Sequence, residues 1–321
     1  MKCIKMLSIA VALCGITVIS SAQTLQEVTE ARNKGSELMG TGDLDGAITQ
    51  LERCIELAKQ IGEDAEEHQI LAESALPDLY FKKADELNKK ATRDLPAILE
   101  ALEATVAASE RYGNAAVKEK AEKAISQVYL AMGVADFSSQ RFNEAIKNLD
   151  QAIARDPGLA RAYFIRGASY QSLKDNEELM EESYRLAIEK GTAGGDAASA
   201  QSAKNQWARY HLNAGITAQR AKRWDDAIAA FLKTVEADNA NADAYYSLLV
   251  CYVEKKSWDN AIALEERVLE LKSGDGAYYF LGSAYAGKNN NAKACEYFKM
   301  VGEGNFLANA KYQIETALKC K

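Results

Sequence analysis

The stretch RFNEAIKNLDQAIARDP, residues 141–157, points to the fold. Read as a helix, it places Ala145, Leu149 and Ala152 on one stripe and its charged side chains on the other faces. The helix then ends at Pro157, a residue that cannot continue it. Because alanine fills two of the three stripe positions, we expect the backbone of another helix to approach this stripe closely.

Related stretches recur along the chain. They read DLDGAITQLERC from residue 43, RWDDAIAAFLKT from 223, SWDNAIALEERV from 257 and NNAKACEYFKMV from 290. Each has an alanine at its fifth position, and the last three of these alanines are 34 and 33 residues apart. Such a period indicates a structural repeat that cannot bury its apolar face alone.

A second signature precedes each copy. Twelve residues before the alanine stands a small residue in four of the copies, namely Gly35, Gly133, Gly215 and Gly282, with Leu249 as the departure. Aromatic residues surround these positions in the segments YLAMGVAD, YFIRGASY, YYSLLVCY and YYFLGSAY. The pattern predicts a first helix ahead of each alanine-bearing helix.

Together these signatures resemble the tetratricopeptide repeat, a helix–turn–helix unit of about 34 residues with the pattern W-x2-L-G-x2-Y, then A-x3-F, then A and P. We count seven copies, called repeats 1 to 7 below, at residues 28–61, 77–111, 126–159, 160–193, 208–241, 242–274 and 275–304, before a closing helix at 305–320. The resemblance implies an all-α, right-handed superhelical solenoid. In each repeat the small residue of the first helix would pack against the alanine of the second.

The resemblance covers nearly all of residues 23–321, which we expect to form a single solenoid. Two segments interrupt its period. In residues 191–206 we expect a flexible turn at 191–195 and then an elongated first helix from about Asp196. This segment is interpreted as a tolerated surface insertion or as a hinge or contact element. Residues 61–74 are expected to lengthen the first helix of repeat 2.

Residues 1–22 have the layout of a secretory signal peptide. Lys2 and Lys5 precede the apolar run MLSIAVALCGITVI, and Ser20 and Ala22 supply small residues before the expected start of the mature chain. We therefore expect an exported protein, located in a bacterial periplasm or at the inner face of the outer membrane. A lipoprotein signal is the alternative, with Cys14 as the lipid-bearing residue.

Charge and hydropathy exclude several classes of partner. The net charge is −7, and it falls to about −9 when the two lysines of residues 1–22 are removed. No cluster of Lys and Arg alternates with aromatic residues, so nucleic-acid binding is not expected. An acidic chain gives no reason to expect adhesion to an anionic membrane, and no segment after the signal peptide is apolar enough to span one.

The sequence offers little catalytic chemistry, and we predict no catalytic residue, no cofactor and no metal site. Of its two histidines, His68 is interpreted as part of a solvated helix start, with weak metal binding beside Asp64 as the alternative. His211 is interpreted as a packed structural residue. Acid pairs such as Glu265 and Glu266 are interpreted as surface charges, and no phosphate loop or GxSxG motif is found.

Four cysteines follow the predicted signal peptide: Cys54, Cys251, Cys295 and Cys320. They are interpreted as small buried thiols on helices. One pairing stays open as an alternative. Cys295 is expected to begin the second helix of repeat 7 and Cys320 to end the closing helix, so that antiparallel packing would bring the two thiols together.

The resemblance also implies a concave groove lined by the first helix of each repeat, where proteins of this family hold a peptide or a helix. The side chains expected on that surface are Leu130, Val134 and Phe137 in repeat 3, Phe164 and Ala168 in repeat 4, Arg209, Leu212, Ile216 and Arg220 in repeat 5, Tyr246, Val250 and Val253 in repeat 6, and Tyr279 and Ser283 in repeat 7. Packing of these residues within the superhelix is the alternative.

The family's carboxylate-gripping set of Lys, Asn and Arg is absent. Leu130 and Val134 stand where it requires Lys and Asn, and only Asn213 and Arg220 resemble it. We therefore expect a non-catalytic scaffold or adaptor whose partner is another protein, bound as a peptide or an amphipathic helix. A glycan- or peptidoglycan-binding solenoid is the alternative from another class, and self-association is a further one.

Overall fold

The structure, a computed structural model, describes residues 21–321, with side chains from Thr24 onwards. The predicted signal peptide at residues 1–22 lies outside the described part, apart from Ser21 and Ala22, which begin the first helix. The described chain divides into two compact bodies at the boundary between Val128 and Tyr129, so that they comprise residues 21–128 and residues 129–321. We call them the N-terminal body and the C-terminal body.

The N-terminal body contains four helices and most of a fifth. They are α1 (Ser21–Thr41), α2 (Leu44–Ile61), α3 (Glu66–Lys89), α4 (Leu95–Arg111) and α5 (Ala115–Ser138), the last of which continues into the C-terminal body. A single 3-10 turn, Glu63–Ala65, precedes α3. The helix α3 therefore starts well before residue 77, and of the segment 61–74 the part from Glu66 onwards lengthens the first helix of repeat 2, as predicted.

The C-terminal body continues the alternation of first and second helices. Its helices are α6 (Phe142–Arg155), α7 (Ala160–Leu173), α8 (Glu177–Gly194), α9 (Ala197–Arg220), α10 (Trp224–Ala237), α11 (Ala242–Glu254), α12 (Trp258–Ala263), α13 (Glu265–Lys272), α14 (Asp275–Gly287), α15 (Asn291–Lys299) and α16 (Leu307–Tyr312). In repeat 6 the second helix is interrupted at Leu264, which separates α12 from α13. No β-strand occurs in residues 21–321, so the all-α prediction is confirmed for that part of the chain.

Most of the hairpins turn in the same way. Seven residues after the glycine of the first helix, or after Leu249 in repeat 6, the backbone enters the left-handed region at Gly42, Gln140, Lys174, Lys222, Lys256 and Asn289. In five of these turns the next amide donates to a carbonyl five residues earlier, as from Arg223 N to Ala218 O at 2.9 Å. This is the Schellman arrangement, which satisfies carbonyls that the end of a helix leaves without partners.

Consecutive repeats stack through their first helices. From α1 to α4, and again from α6 onwards, each helix packs on the next one along the chain, and α7 also contacts α9, α9 contacts α11, and α11 contacts α14. Contacts between alternate helices are what a solenoid requires, because each repeat completes its core with its neighbour. Within the C-terminal body, the first helices of repeats 4 to 7 therefore lie side by side.

The small residues of the first helices do allow close approach, but their main neighbour differs from the prediction. A Cβ built on Gly133 would lie 2.7 Å from Leu149 Cγ and 3.3 Å from the carbonyl oxygen of Ala145. Gly282 meets the ring of Phe298 in the same way, at 2.9 Å. The glycine thus accommodates the large residue four positions after the alanine, while the alanine brings the two backbones together.

The expectation of a flexible turn at residues 191–195 is wrong. Helix α8 runs through residues 191–194, and only Gly195 has a left-handed backbone, with φ +81°. Asp196 then caps the elongated helix α9, its side chain accepting a hydrogen bond from Ser199 N at 3.1 Å. At the crossing, a Cβ on Gly191 would lie 2.8 Å from that of Ala200. Close packing of α8 on α9 replaces the expected loop.

The C-terminal segment is less regular than the predicted closing helix at 305–320. A 3-10 turn at Gly304–Phe306 leads into the short α16, and a π-helical turn follows at Gln313–Ala317. The final residues are not helical. This segment nevertheless packs on repeat 7, where Ala310 is fully buried among core residues of α15.

Of the four cysteines in the described chain, two are free thiols and two are joined in a disulfide. Cys54 and Cys251 are buried free thiols, as expected for small residues packed on helices. Cys295 and Cys320 form a disulfide with their Cα atoms 5.7 Å apart. Cys295 lies in the middle of α15 and Cys320 in the non-helical tail, so the pairing that the sequence left open exists at positions slightly different from those expected.

Candidate functional site

The first helices of the C-terminal body carry an open cleft of about 660 Å³ between the end of α7 and the middle of α9. The residues that give it its character are Lys174, Arg209, Tyr210, Asn213, Thr217 and Arg223. Its lining contains three cationic side chains and no carboxylate. This composition suits the binding of an anion or of an acidic segment of a partner.

Helix geometry explains why these side chains meet. Arg209, Asn213 and Thr217 are four residues apart on α9 and therefore share one face of the helix. Lys174 is the left-handed residue that ends α7, and Arg223 stands directly before the first turn of α10. Two hairpin turns thus add one cation each to the α9 face. Arg223 also pairs with Asp226, at 3.1 Å in an exposed contact.

A second, acidic cleft of about 550 Å³ adjoins the basic one and shares Lys174 and Tyr210 with it. Asp175 and Glu177 contribute the carboxylates of this second cleft. Burial, together with the charges of Glu177 and Glu181, raises the pKa of Tyr210. Like any tyrosine hydroxyl near neutral pH it is protonated, and it can donate a hydrogen bond between the two clefts.

The two basic residues predicted for the groove do not lie together in the structure. Arg209 lines the basic cleft, whereas Arg220 is exposed outside it. Leu212 and Ile216 are partly buried and pack against the core cluster around Phe231. Repeat 5 therefore presents a polar, cationic face here, with its apolar side chains turned into the core.

The residues predicted for the groove in repeats 3 and 4 pack mainly within the repeats. Leu130 is 8% exposed and belongs to the same core cluster as Leu149, against which Val134 and Phe137 also pack. The ring of Phe164 lies 6.3 Å from that of Tyr184. These side chains of the first helices are buried because they fill the space left by the small alanines of the second helices. Here the alternative, packing within the solenoid, describes the structure better than an open groove.

Aromatic residues predicted for the groove in repeats 6 and 7 are partly covered by the chain's own C-terminal segment. The ring of Phe306 stacks on Tyr279 at 5.0 Å and meets Phe280 edge-on at 5.4 Å. Tyr246 in turn meets Phe280 at 6.2 Å, and Val250 is half-buried on α11. Because protein side chains already contact these rings, they do not form an open platform on which a sugar would stack.

Glu265 is partly buried and accepts several side-chain hydrogen bonds, so its interpretation as a surface charge is wrong. It accepts hydrogen bonds from the hydroxyls of Tyr285 and Tyr297 and from Lys293 Nζ, the last at 2.9 Å. Burial alone would raise the pKa of Glu265, but these hydrogen bonds outweigh it and lower the pKa. Its neighbour Glu266 is exposed, as predicted.

His68 is not part of a solvated helix start. It is partly buried, with Nε2 3.3 Å from the hydroxyl of Thr29 and a buried Nδ1 that has no hydrogen-bond partner. In the described residues, one group of three side chains could hold a metal ion, and it contains the other histidine: Glu177, Glu181 and His211. The sequence did not indicate this group, because its members lie on different helices on either side of the irregular segment at 191–206.

The helix pairs, their stacking and their shared turns define the class of this protein as a helical repeat protein. Sequence profiles of the tetratricopeptide repeat match residues 130–198 and 212–276 in one form, and residues 33–61 and 276–299 in another. Together these matches span more than half of the chain. The chain therefore belongs to the tetratricopeptide repeat family.

Solved structures of such proteins resemble parts of the chain at low sequence identity. The crystal structure of YrrB, described as a TPR protein with an unusual peptide-binding site, is 19% identical, with coverage of 60% of this chain and 88% of that one and a TM-score of 0.29. A tetratricopeptide repeat protein from Parabacteroides merdae is 15% identical over 92% of this chain and all of its own, with a TM-score of 0.31. The TPR2AB domain of yeast Sti1, described as a complex with pHSP90, is 14% identical, with coverage of 90% and 95% and a TM-score of 0.32.

A search of curated proteins finds no match to the chain. In residues 21–321, every helix is too short or too polar to cross a bilayer.

Proposed function

We propose that this protein is a non-catalytic scaffold that holds a partner protein through an acidic peptide segment, bound in the basic cleft between α7 and α9. The observation that carries the proposal is the lining of that cleft, which combines Lys174, Arg209 and Arg223 with no carboxylate on a chain whose net charge is −7. A cationic patch on an acidic protein marks a particular binding site, because the net negative charge of the chain as a whole would repel an acidic partner.

The polar groups between the cations suit an extended peptide. Asn213 and Thr217 present an amide and a hydroxyl along the same helical face as Arg209, at the spacing of one helical turn. A peptide held there would place carboxylates on the cations and main-chain groups on the amide. The apolar side chains of α9 contribute little to such a surface because they are packed in the core.

We also propose that the protein is exported to an oxidising compartment, in a bacterial periplasm or at the inner face of the outer membrane. Two independent features support this location: the signal-peptide layout of residues 1–22 and the disulfide between Cys295 and Cys320. A scaffold there would serve an assembly of envelope proteins.

A peptide library displayed on phage tests the binding proposal directly. We expect selection on the purified chain to enrich acidic peptides, and we expect the double variant Arg209→Ala, Arg223→Ala to lose them. Arg185→Ala is the matched control, because Arg185 is an exposed arginine of α8 outside the cleft. Enrichment of apolar peptides that the double variant binds equally well would contradict the proposal.

A further inference from the structure

Two repeat helices converge on a small cluster of titratable groups. Glu177 and Glu181 lie one turn apart at the start of α8, and His211 approaches them from the middle of α9. One donor atom from each of the three side chains lies within 4.8 Å of the others. Two carboxylates and one imidazole at this spacing can reach a common ion.

His211 supplies the observation that points to a ligand. The residue is only 2% exposed, and its Nε2 has no hydrogen-bond partner. Nε2 lies 2.9 Å from Glu181 Oε1, but the direction of approach does not fit a hydrogen bond. A buried ring nitrogen aimed at a carboxylate without a hydrogen bond is costly, because buried polar groups in proteins are normally satisfied.

A cation already pairs with both carboxylates. Lys233 on α10 extends its Nζ to 2.6 Å from Glu181 Oε1 and 3.1 Å from Glu177 Oε1. The lysine side chain is 40% exposed, so it can turn into solvent without leaving a cavity in the core. The ammonium donates to both carboxylates, and in the structure it makes no hydrogen bond to His211.

We propose that Glu177, Glu181 and His211 form a binding site for a divalent transition-metal ion, with Zn²⁺ the ion that fits best, and that Lys233 is the competing cation which the ion displaces. Zn²⁺ binds imidazole nitrogen together with carboxylate oxygen and is usually four-coordinate, so a water molecule would be the fourth ligand. Ca²⁺ and Mg²⁺ prefer six or more oxygen ligands and would leave the imidazole unused.

The surroundings allow an ion to enter. The side chain of Glu177 is 52% exposed and lines the acidic cleft, which opens to solvent beside the cluster. A neutral imidazole carries a lone pair on one ring nitrogen, and this lone pair is what binds a metal ion. The path to the cluster and the chemistry of its side chains therefore both suit metal uptake.

Metal binding here would connect repeats 4 and 5. Its ligands come from α8 and α9, on either side of the irregular junction near residues 191–196. An ion held by both helices would stabilise this junction, since a ligand that binds only the folded state shifts the unfolding equilibrium toward it.

Zinc titration of the purified chain, stripped of metal with a chelator, tests the proposal. We expect one Zn²⁺ per chain by calorimetry, a melting temperature that rises with zinc concentration, and visible absorption bands of a four-coordinate site when Co²⁺ is used instead. Affinity should fall by at least about tenfold in His211→Gln and rise by a similar factor in Lys233→Met, which removes the competing ammonium. His68→Gln is the matched control and should bind as the wild type does.

Circular dichroism shows whether each variant folds. If His211→Gln does not fold, Glu177→Gln is the alternative ligand variant, because Glu177 is half exposed and outside the core. The proposal is overturned if the wild-type chain shows no saturable zinc binding, if only Lys233→Met binds zinc, or if the ligand variants bind as tightly as the wild type.

Discussion

Gly215 of α9 lies directly against the ring of Phe231 on α10, where a Cβ added to the glycine would be 2.5 Å from Cε1. Phe231 is fully buried, so its ring has no room to withdraw. This contact joins the two signatures of the repeat, the glycine of the first helix and the large residue four positions after the alanine of the second. The hairpin of repeat 5 closes around it.

The first prediction concerns this contact. Gly215→Ala should lower the free energy of unfolding by about 1–3 kcal/mol, because the added methyl group overpacks a closed interface. Gly194→Ala is the matched control, since a Cβ there would meet no atom within 4 Å. Urea unfolding followed by circular dichroism measures both variants. Equal stability of the two would show that α9 and α10 are not in close contact at Gly215.

The second prediction uses the left-handed residue of the hairpin turns. Lys256 has φ +60°, a conformation that costs a residue with a Cβ about 1–2 kcal/mol relative to glycine. Lys256→Gly should therefore stabilise the protein by about 1 kcal/mol. Lys256→Ala keeps the Cβ and should show no comparable gain. If both variants change stability equally, the turn does not have the left-handed geometry of the structure.

The third prediction concerns pH. Because the folded pKa of Glu265 is lowered, its carboxylate stabilises the fold above the ordinary pKa of 4.5, and this contribution is lost as pH falls through the folded value. Glu265→Gln should cost about 1–2 kcal/mol at pH 7, through the lost charged hydrogen bonds, and much less at acid pH. Its exposed neighbour gives the control Glu266→Gln. A cost for Glu265→Gln that does not depend on pH would contradict this account.

The fourth prediction concerns the C-terminal segment. The disulfide closes a loop of 25 residues, so Cys320→Ser should lower the free energy of unfolding by about 3 kcal/mol in the chain-entropy view. A reducing agent should destabilise the wild type to the same level and leave Cys320→Ser unchanged. Thiol counting on the denatured, unreduced chain should find Cys54 and Cys251 free and the other pair absent. Four reactive thiols among these cysteines would exclude the disulfide.

The repeat and its helices could be predicted from sequence because the signal is local and recurs. Alanines such as Ala145 and Ala227 sit at a fixed distance from their glycines, and in the structure each is fully buried. The neighbour of the glycine was predicted less well. The motif shows that two helices approach closely, but only the packing shows that Leu149 or Phe231 fills the space beside the glycine.

The site could be predicted only in part, because it depends on contacts between repeats. The sequence predicts Arg209 in the groove, and in the structure it lines the cleft, but Lys174 and Arg223 belong to hairpin turns whose left-handed geometry carries no glycine signature. The position of Tyr279 on the first helix of repeat 7 predicts a place in the groove. Nothing in the repeat pattern indicates that Phe306, from the irregular C-terminal segment, would cover it.

The central claim is that a partner's acidic segment binds between α7 and α9, and hydrogen–deuterium exchange locates that binding. The measurement compares the chain alone with the chain saturated by an acidic peptide from the library selection. We predict that exchange slows at the end of α7, around Lys174, and along α9 from Arg209 to Thr217, and that the effect weakens as salt is added. Protection elsewhere, with these two segments unchanged, would contradict the assignment of the basic cleft as the binding site.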